Sequence, residues 1–308
     1  MFIKVSSLRK HERAKDWQLL SLAAPAVIFF FIFAYIPMAG IFIAFKNVNF
    51  RDGIFKSPWA GFKNFEFFFK SNDAWIYTRN TLMYNFAGIL LGTITALVIA
   101  LLLNEIMGRA IVKTYQTILF FPYFFSWVIV GLMMFSLFAP AGILTTFFKG
   151  VGIDISDFYN NMKYWPPFLV LVSIWKSAGY SSVIYYASIM SISGEYYEAA
   201  EIDGASRSQC ARHITLPMLS PIIIMMTILA IGSIFRADFG LYYFIPRDLG
   251  QLYPVTQVID TAVYRMLRGG SDMGMTTAVG LFQSAVGFVL VLATNAGIRK
   301  IQPENSLF

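Results

Sequence analysis

Charged residues are scarce in this chain of 308 residues, where they make up 13% of the sequence against ~25% in typical soluble domains. So few charged side chains cannot cover a soluble protein of this size without leaving large apolar patches. Cysteine occurs once, as Cys210, which excludes an intrachain disulfide. With two histidines, His11 and His213, the chain has almost no ligands from which a His/Cys metal site could be built. We therefore predict no metal site, and a lipid bilayer as the main surrounding of the chain.

What the sequence has instead is long apolar runs. A helix needs ~20 residues to cross the ~30 Å hydrocarbon core of a bilayer. Six runs are long enough, over residues 19–45, 80–104, 114–148, 164–194, 213–235 and 273–298. The third is longer than one span and should hold a helix and part of a loop. We predict an all-α protein with six transmembrane helices, formed by residues 19–298 between the tails 1–18 and 299–308.

The distribution of Lys and Arg does not by itself settle the orientation. In the six-span arrangement the two sets of loops carry equal numbers of these residues. The set that contains the N-terminal tail is shorter, and five basic residues crowd the entrance to the first span. The positive-inside rule therefore favours a cytoplasmic N-terminus only modestly.

The segment 191–217, between the fourth and fifth runs, is far more polar than its flanks. Ser193 is placed to cap a first helix, and Gly204 can adopt the left-handed conformation that ends one. A capping box at Ser206 begins a second helix, and Pro217 disfavours helix at the residue before it. We predict two short helices lying across the membrane surface, the second of them ending at Pro217.

The first of these helices carries an acidic stripe, because Glu195, Glu198 and Glu201 recur every three residues. The segment also offers small or apolar residues that another protein could approach closely. These are Ala199, Ala200, Ala205 and Ile214. Together the two features predict a docking element for a partner protein.

The spacing of residues in this segment resembles the EAA loop, E-A-A-x-x-D-G-A-x8-I-x-L-P, of permease subunits in binding-protein-dependent ABC importers. The positions that carry the resemblance are Glu198, Ala199, Ala200, Asp203, Gly204, Ala205, Ile214, Leu216 and Pro217. Trp175, Lys176 and residues 235–265 resemble the carbohydrate-importer branch, and within it the LplB-type permeases for complex oligosaccharides. One departure is Cys210, at a position where relatives often carry a large aromatic residue.

This resemblance, which covers roughly residues 15–300, implies a mechanism and a set of partners. The chain would have the type I transmembrane fold of ABC importers in the bacterial plasma membrane, and the segment 191–217 would couple it to a cytoplasmic ATPase. With six spans, the N-terminus would then be cytoplasmic as well. The implied partners are a second homologous permease, two ATPase subunits that bind ATP and Mg, an extracytoplasmic sugar-binding protein, an oligosaccharide and membrane lipid. No cofactor on this chain and no nucleic acid are implied.

The sequence offers no machinery for catalysis. A P-loop needs Gly-Lys followed by Ser or Thr to cradle phosphates, and no Gly-Lys dipeptide occurs in the chain. No catalytic triad or pair of catalytic carboxylates is evident either. We therefore expect a transport subunit, with ATP hydrolysed by another chain.

Charged groups inside apolar spans are costly and usually face a bundle interior or a water-filled cavity. Lys176, beside Trp175, could bind a sugar, or it could snorkel or pair with an acid of a neighbouring subunit. Arg236 and Asp238 are candidates for substrate contact or for a local salt bridge or loop anchor. The predicted substrate path consists of Trp175, Lys176, Tyr180, Arg236, Asp238 and Tyr242.

The residues alone also allow a different class of function. In a stand-alone secondary transporter or channel, Lys176, Arg236 and Asp238 would carry an ion or proton path. Such a protein would transport by itself and would depend on an ion gradient instead of ATP.

Gly88 and Gly92 form a small-residue pair in the second run. Pairs with this spacing let helices approach closely in membranes. We expect this pair to pack against another helix of the same chain.

Overall fold

The computed structural model describes residues 5–49, 51–66, 70–269, 273–301 and 303, and in these ranges it contains helices and loops without a β-strand. The helices of eight or more residues are Val5–Phe30, Asn72–Asn104, Arg109–Phe120, Trp127–Phe138, Ile143–Gly150, Trp165–Ile189, Gly194–Ile202, Leu216–Gly232, Ile259–Arg268 and Met273–Ile301. Within the described ranges, six helical segments are long and apolar enough to cross a membrane: Leu19–Phe45, Asn72–Asn104, Trp127–Gly150, Met162–Ile189, Arg207–Gly232 and Met273–Lys300. These are the first to sixth spans below, and they confirm the predicted all-α fold with six transmembrane helices.

The helices extend beyond the apolar runs because a helix ends at its caps and not at the edge of the hydrocarbon. The second span begins at Asn72, eight residues before the predicted start at residue 80, since the side chain of Ser71 accepts a hydrogen bond from the N–H of Ala74. The third run divides, as expected, into more than one element. Its first part belongs to the helix Arg109–Phe120, and Ser126 caps the helix that opens the third span.

The prediction that Pro217 ends a second short helix is wrong. The helix Arg207–Cys210 continues through a π-helical turn, Ala211–Thr215, into Leu216–Gly232. Pro217 stands in the first turn of this last helix, where a missing N–H is tolerated. The wider π turn carries the chain past the proline. The second half of the polar segment is therefore the beginning of the fifth span.

The described chain falls into two compact units, one formed by residues 1–66 with 271–281 and the other by residues 67–270 with 282–308. The first unit contains the helical stretch that begins at Val5 and runs through the first span, and a folded loop up to residue 66. The second unit contains the second to fifth spans, the elements between them and the rest of the sixth span.

The fourth span is the centre of the second unit. Its side chains Trp165, Leu169 and Val172 are buried among residues of the second and third spans and of the loop before the sixth, including Tyr84 and Val130. Towards the other end of the bundle, a second buried cluster joins the second, fourth and fifth spans. It consists of Ala96, Ala100, Tyr185, Ile189 and Leu219. The second, fourth and fifth spans therefore pack directly against one another.

One glycine of the fourth span is required by a close approach. A Cβ atom on Gly179 would lie 1.9 Å from the carbonyl oxygen of Leu119, in the helix Arg109–Phe120. The contact is with backbone, which cannot rotate away as a side chain does. A side chain at position 179 must therefore push the two helices apart.

We predict that Gly179→Ala destabilises the protein by about 1–3 kcal/mol, because the added methyl group overpacks this helix contact. Gly297→Ala is the matched control, since no described atom lies within 4 Å of a Cβ at that helical position. Thermal unfolding in detergent compares the two variants. Equal midpoints would show that the helices separate at no cost and would contradict the assignment.

Candidate functional site

The segment 191–217, called here the coupling segment, has the predicted local structure in its first half. The helix Gly194–Ile202 begins after Ser193, whose side chain accepts a hydrogen bond from the N–H of Glu195. Gly204 follows it with φ +78, in the left-handed region that glycine adopts without strain. The predicted cap and the predicted glycine stop are both confirmed.

The outer surface of this helix is open. Glu195, Glu198 and Glu201 are all exposed, as are Ala199, Asp203 and Gly204, while Ala200 and Ala205 are half-buried. Two large apolar side chains lie on the same short element, with Ile202 87% and Tyr196 54% exposed. A helix end that presents both acidic and apolar side chains to the outside is suited to contact with another protein.

The second half of the coupling segment is fixed to the first. The capping box is present as predicted, since the N–H of Ser206 donates to Gln209 Oε1 at 2.7 Å. The hydroxyl groups of Tyr197 and Thr215 lie 2.9 Å apart and link the two halves. Ile214 and Leu216 are half-buried, Pro217 is exposed and Cys210 is buried. Cys210 lines a cavity of about 240 Å³ behind the segment.

Glu105, just after the end of the second span, reaches the same segment. Its carboxylate lies 2.9 Å from a guanidinium nitrogen of Arg207. The two residues are separated by 102 positions in the chain, so spacing in the sequence gave no signal of this pair. The ion pair connects the second span to the beginning of the fifth.

Lys176 lies in a cluster of aromatic rings within the chain. Its ammonium group donates a hydrogen bond of 2.8 Å to the carbonyl oxygen of Tyr123, and it lies 5.2 Å and 5.0 Å from the rings of Tyr123 and Trp127. Tyr180 stacks on Tyr123 with ring centroids 4.5 Å apart. The indole N–H of Trp127 donates to Asp238 Oδ2 at 2.7 Å.

Three predicted path residues therefore meet: Lys176, Tyr180 and Asp238. Tyr123 and Trp127 join them, and sequence reasoning missed both, since an aromatic residue in a membrane protein is too common to stand out. Cation–π contact and the hydrogen bond to the carbonyl of Tyr123 stabilise the lysine charge.

The other three candidates are outside this cluster, although Tyr242 and Asp238 line the same cavity. Trp175 is 40% exposed, and as the neighbour of Lys176 in a helix it points about 100° away from it. Arg236 donates to Ser284 Oγ at 2.9 Å. Tyr242 is buried, and its ring centroid lies 5.2 Å from that of Tyr84.

Asp238 acts as a loop anchor, one of the alternatives that the sequence left open. Its carboxylate accepts hydrogen bonds from the N–H groups of Gly240 and Leu241 and so caps the helix Phe239–Phe244. Because its other oxygen accepts from Trp127, the same side chain also fixes the start of the third span. The expected partner Arg236 is engaged with Ser284 instead.

A second carboxylate stabilises the backbone just before the helix Phe239–Phe244. Asp260 Oδ2 accepts hydrogen bonds from the N–H of Ala237 at 2.8 Å and from Gln283 Nε2 at 3.4 Å. Burial raises the pKa of Asp260 above its usual range, although these hydrogen bonds act in the opposite direction. The carboxyl therefore keeps its proton to higher pH than an exposed aspartate does.

A cavity of about 280 Å³, lined by both polar and apolar residues, lies between the second, fourth and fifth spans and the helix Phe239–Phe244. One wall is a stripe of hydroxyl groups, since Ser173, Ser177 and Ser181 recur every four residues on the fourth span. Other polar lining residues are Tyr84, Asn85, Thr93, Tyr185, Asp238 and Tyr242. The cavity can therefore offer many hydrogen bonds to a polar solute.

Gly88 and Gly92 form part of the opposite wall of this cavity. No described atom lies within 4 Å of a Cβ placed on either residue. The expectation that the pair packs closely against another helix of the chain is therefore wrong. The missing side chains leave space in the cavity.

Metal binding finds no support in the part of the chain that the structure describes, where no group of three or more His, Cys, Asp or Glu residues could hold a metal ion. The polar side chains that line the cavity carry hydroxyl groups, one amide and one carboxylate. Such a set suits a neutral or weakly charged polar solute better than a divalent cation.

Comparisons with known proteins agree with this architecture. Residues 88–302 match the family described as "Binding-protein-dependent transport system inner membrane component". Protein LplB of Bacillus subtilis is 35% identical over 94% of this chain and 91% of its own length. The polygalacturonan/rhamnogalacturonan transport system permease protein YteP of the same organism is 34% identical over 91% of this chain and 87% of its own.

Solved structures show the same likeness in three dimensions. A chain of a bacterial ABC transporter involved in the import of the acidic polysaccharide alginate is 32% identical, with a TM-score of 0.85 over 96% of this chain and 100% of that one. The alginate transporter in complex with its pentasaccharide-bound periplasmic protein gives a TM-score of 0.84 at the same identity, over 94% of this chain and 97% of that one.

The family match spans most of the second unit, and both relatives cover nearly the whole chain. This favours a subunit of a larger importer over the stand-alone secondary transporter or channel that the charged residues alone allowed. Six spans and the family description place the chain in a membrane, as an inner membrane component. The chain belongs to the family of binding-protein-dependent transport system inner membrane components, and it is a permease subunit of an ABC importer, a transport component and not an enzyme.

Proposed function

We propose that this permease imports oligosaccharides that an extracytoplasmic sugar-binding protein delivers. The observation that carries the proposal is the cavity with its stripe of serine hydroxyls on the fourth span. Sugar hydroxyls exchange hydrogen bonds with such a wall, and aromatic rings such as Tyr84 and Tyr242 suit the faces of sugar rings. Relatives named for polygalacturonan/rhamnogalacturonan transport and for alginate import support a carbohydrate substrate.

The proposed assembly contains a second, homologous permease and two cytoplasmic ATPase subunits, which bind ATP and Mg. A cavity of about 280 Å³ within one chain is too small to enclose an oligosaccharide, because even drug-sized ligands occupy pockets of ~300–1,000 Å³. A path of sufficient width therefore needs a second permease beside this one. We propose two different permeases in the pair.

We assign the coupling to the ATPase to the coupling segment, through the residues that match the EAA loop. These are Glu198, Ala199, Ala200, Asp203, Gly204, Ala205, Ile214, Leu216 and Pro217. The segment is then cytoplasmic, and so are the N-terminal tail 1–18 and the C-terminal tail 299–308. The open surface of the helix Gly194–Ile202, with its exposed glutamates and Ile202, supports this assignment.

A movement of the coupling segment reaches the cavity by two routes. The fifth span is one continuous helix from Arg207, so a rotation of its beginning turns the whole span. The ion pair between Arg207 and Glu105 transmits the movement to the end of the second span. Both spans contribute walls of the cavity, the second with Gly88 and Gly92 and the fifth with Met226 and Ala230.

Gly204→Val tests the coupling assignment. A β-branched residue at φ +78 costs ~1–2 kcal/mol locally and displaces the helix Gly194–Ile202, so uptake of labelled oligosaccharide should be abolished while the protein stays in the membrane. Glu198→Lys should have the same effect by reversing a charge on the exposed surface.

The matched control is Gly194→Ala, in the same segment, where no described atom lies within 4 Å of a Cβ. It should transport normally. Normal uptake by both Gly204→Val and Glu198→Lys would exclude the coupling role of this segment.

Charge reversal tests the link between the second and fifth spans. Glu105→Arg and Arg207→Glu should each lower the amount of sugar imported per ATP hydrolysed, and the double variant should restore it. An exposed ion pair contributes only ~0.2–1 kcal/mol to stability, so the amount of folded protein should stay unchanged. If the double variant is no better than the singles, the ion pair does not transmit the movement.

Substitutions that fill the cavity or remove one of its hydroxyl groups test its role in the substrate path. Gly92→Leu should block uptake, because the side chain extends into the cavity, and Ser177→Ala should raise KM by about 2- to 10-fold for one lost hydrogen bond. Ser188→Ala is the control, since this residue lies on the same span, donates to the carbonyl of Ile184 as Ser177 donates to that of Ser173, and is not part of the lining. Unchanged transport kinetics in Gly92→Leu would exclude the cavity from the path.

A further inference from the structure

The loop after the first span has an inverted distribution of polar and apolar side chains. Within residues 46–66, called here the interspan loop, the polar side chains of Ser57 and Asn64 are buried, at 4% and 6% exposure. Three large aromatic side chains are exposed instead, Phe55 at 84%, Trp59 at 67% and Phe62 at 75%. A loop surrounded by water would be expected to show the opposite distribution.

Hydrogen bonds from polar side chains fix the backbone of this loop. Asn64 Nδ2 donates to the carbonyl oxygens of Ala44 and Lys46, both at 2.9 Å. Ser57 Oγ donates to the carbonyl of Gly53 at 2.8 Å. The ammonium group of Lys46 donates to the carbonyl of Phe55 at 2.6 Å. The three exposed rings add one-sided contacts with Phe42 and Phe45, which leave most of their surface uncovered.

The loop is tied to the last residue of the first span. The N–H of Ala60 donates to the carbonyl of Phe45 at 2.7 Å, and Lys46 and Trp59 form an isolated antiparallel bridge. The rings of Phe45 and Trp59 stack with centroids 5.7 Å apart. Since Phe45 ends an apolar membrane span, Trp59 lies at the same level, where the hydrocarbon meets the headgroups.

Basic residues accompany the aromatic ones. Residues 46–66 contain four basic and two acidic side chains. Lys56 follows Phe55 and Lys63 follows Phe62, and both lysines are exposed. A lysine at this depth can lay its aliphatic stem along the acyl chains and its ammonium group beside lipid phosphates. The charge of the loop therefore complements an anionic lipid surface.

We propose that Phe55, Trp59 and Phe62, with Lys56 and Lys63, form a surface that docks on the anionic headgroup layer of the bilayer. The three rings enter the boundary between headgroups and acyl chains, and the two lysines bind lipid phosphates. This surface anchors the end of the first span at a fixed depth. It requires only that the chain spans a membrane, and it is independent of the proposed substrate.

The depth of nitroxide labels in the full-length chain tests the proposal. In a Cys210→Ser background, labels at Phe55→Cys and Phe62→Cys are examined in vesicles of phosphatidylcholine with phosphatidylglycerol. Neither ring is needed for the polar contacts that fold the loop. Asp52→Cys is the control, because this exposed residue is polar and belongs to the same loop. Collision rates with oxygen and with a water-soluble nickel chelate give the depth.

The labels at positions 55 and 62 should lie ~5–10 Å below the level of the phosphates, and the label at position 52 should lie in water. The same labels should lie deeper in vesicles with phosphatidylglycerol than in pure phosphatidylcholine. This difference should disappear when Lys56→Gln and Lys63→Gln are both introduced. The proposal would be overturned if the labels at positions 55 and 62 were as accessible to the nickel chelate as the label at position 52. Protection that appears only when the extracytoplasmic binding protein is added would overturn it in favour of a protein contact.

Discussion

The structure depends on hydrogen bonds from polar side chains of the spans to backbone carbonyls of residues 233–258, where short helices alternate with turns. Asn80, 1% exposed in the second span, donates to the carbonyls of Pro254 and Gln257. Asn85, about one and a half turns further along, donates to the carbonyls of Ile234 and Arg236. An unpaired carbonyl buried away from water costs free energy, so irregular backbone at this depth persists only where side chains satisfy it. Two asparagines therefore hold the segment 233–258 against the second span.

That segment carries the groups around which the candidate site is built. Asp238 caps a short helix and accepts a hydrogen bond from Trp127. The rings of Trp127 and Tyr123 lie beside the ammonium group of Lys176. Tyr242 lies at one end of the hydroxyl-lined cavity. The same second span that anchors the segment also contributes the two cavity glycines and, through Glu105 just after its end, the ion pair with Arg207. In the proposed mechanism, a displacement at the coupling segment therefore reaches the span that organises the cavity.

Local features were predictable wherever a residue acts through its own backbone or its near neighbours. The cap at Ser193, the left-handed Gly204 and the capping box at Ser206 all depend on hydrogen bonds or dihedral angles within a few residues, and all are present. Pro217 shows the limit of such reasoning, because a π-helical turn before the proline lets the helix continue. The rule that proline ends a helix assumes the ordinary hydrogen-bond pattern.

The sequence by itself determined the six spans, the all-α fold and the polar segment with its family spacing, since apolar length and short-range motifs can be read along the chain. Only the tertiary structure decided what Gly88 and Gly92 do, because a small-residue pair serves equally for helix contact and for open space, and the neighbouring helix decides between them. It also decided that Lys176 meets Tyr123 and Trp127, and that Glu105 meets Arg207. These contacts join residues far apart in the chain, and their geometry is set by the packing of whole helices.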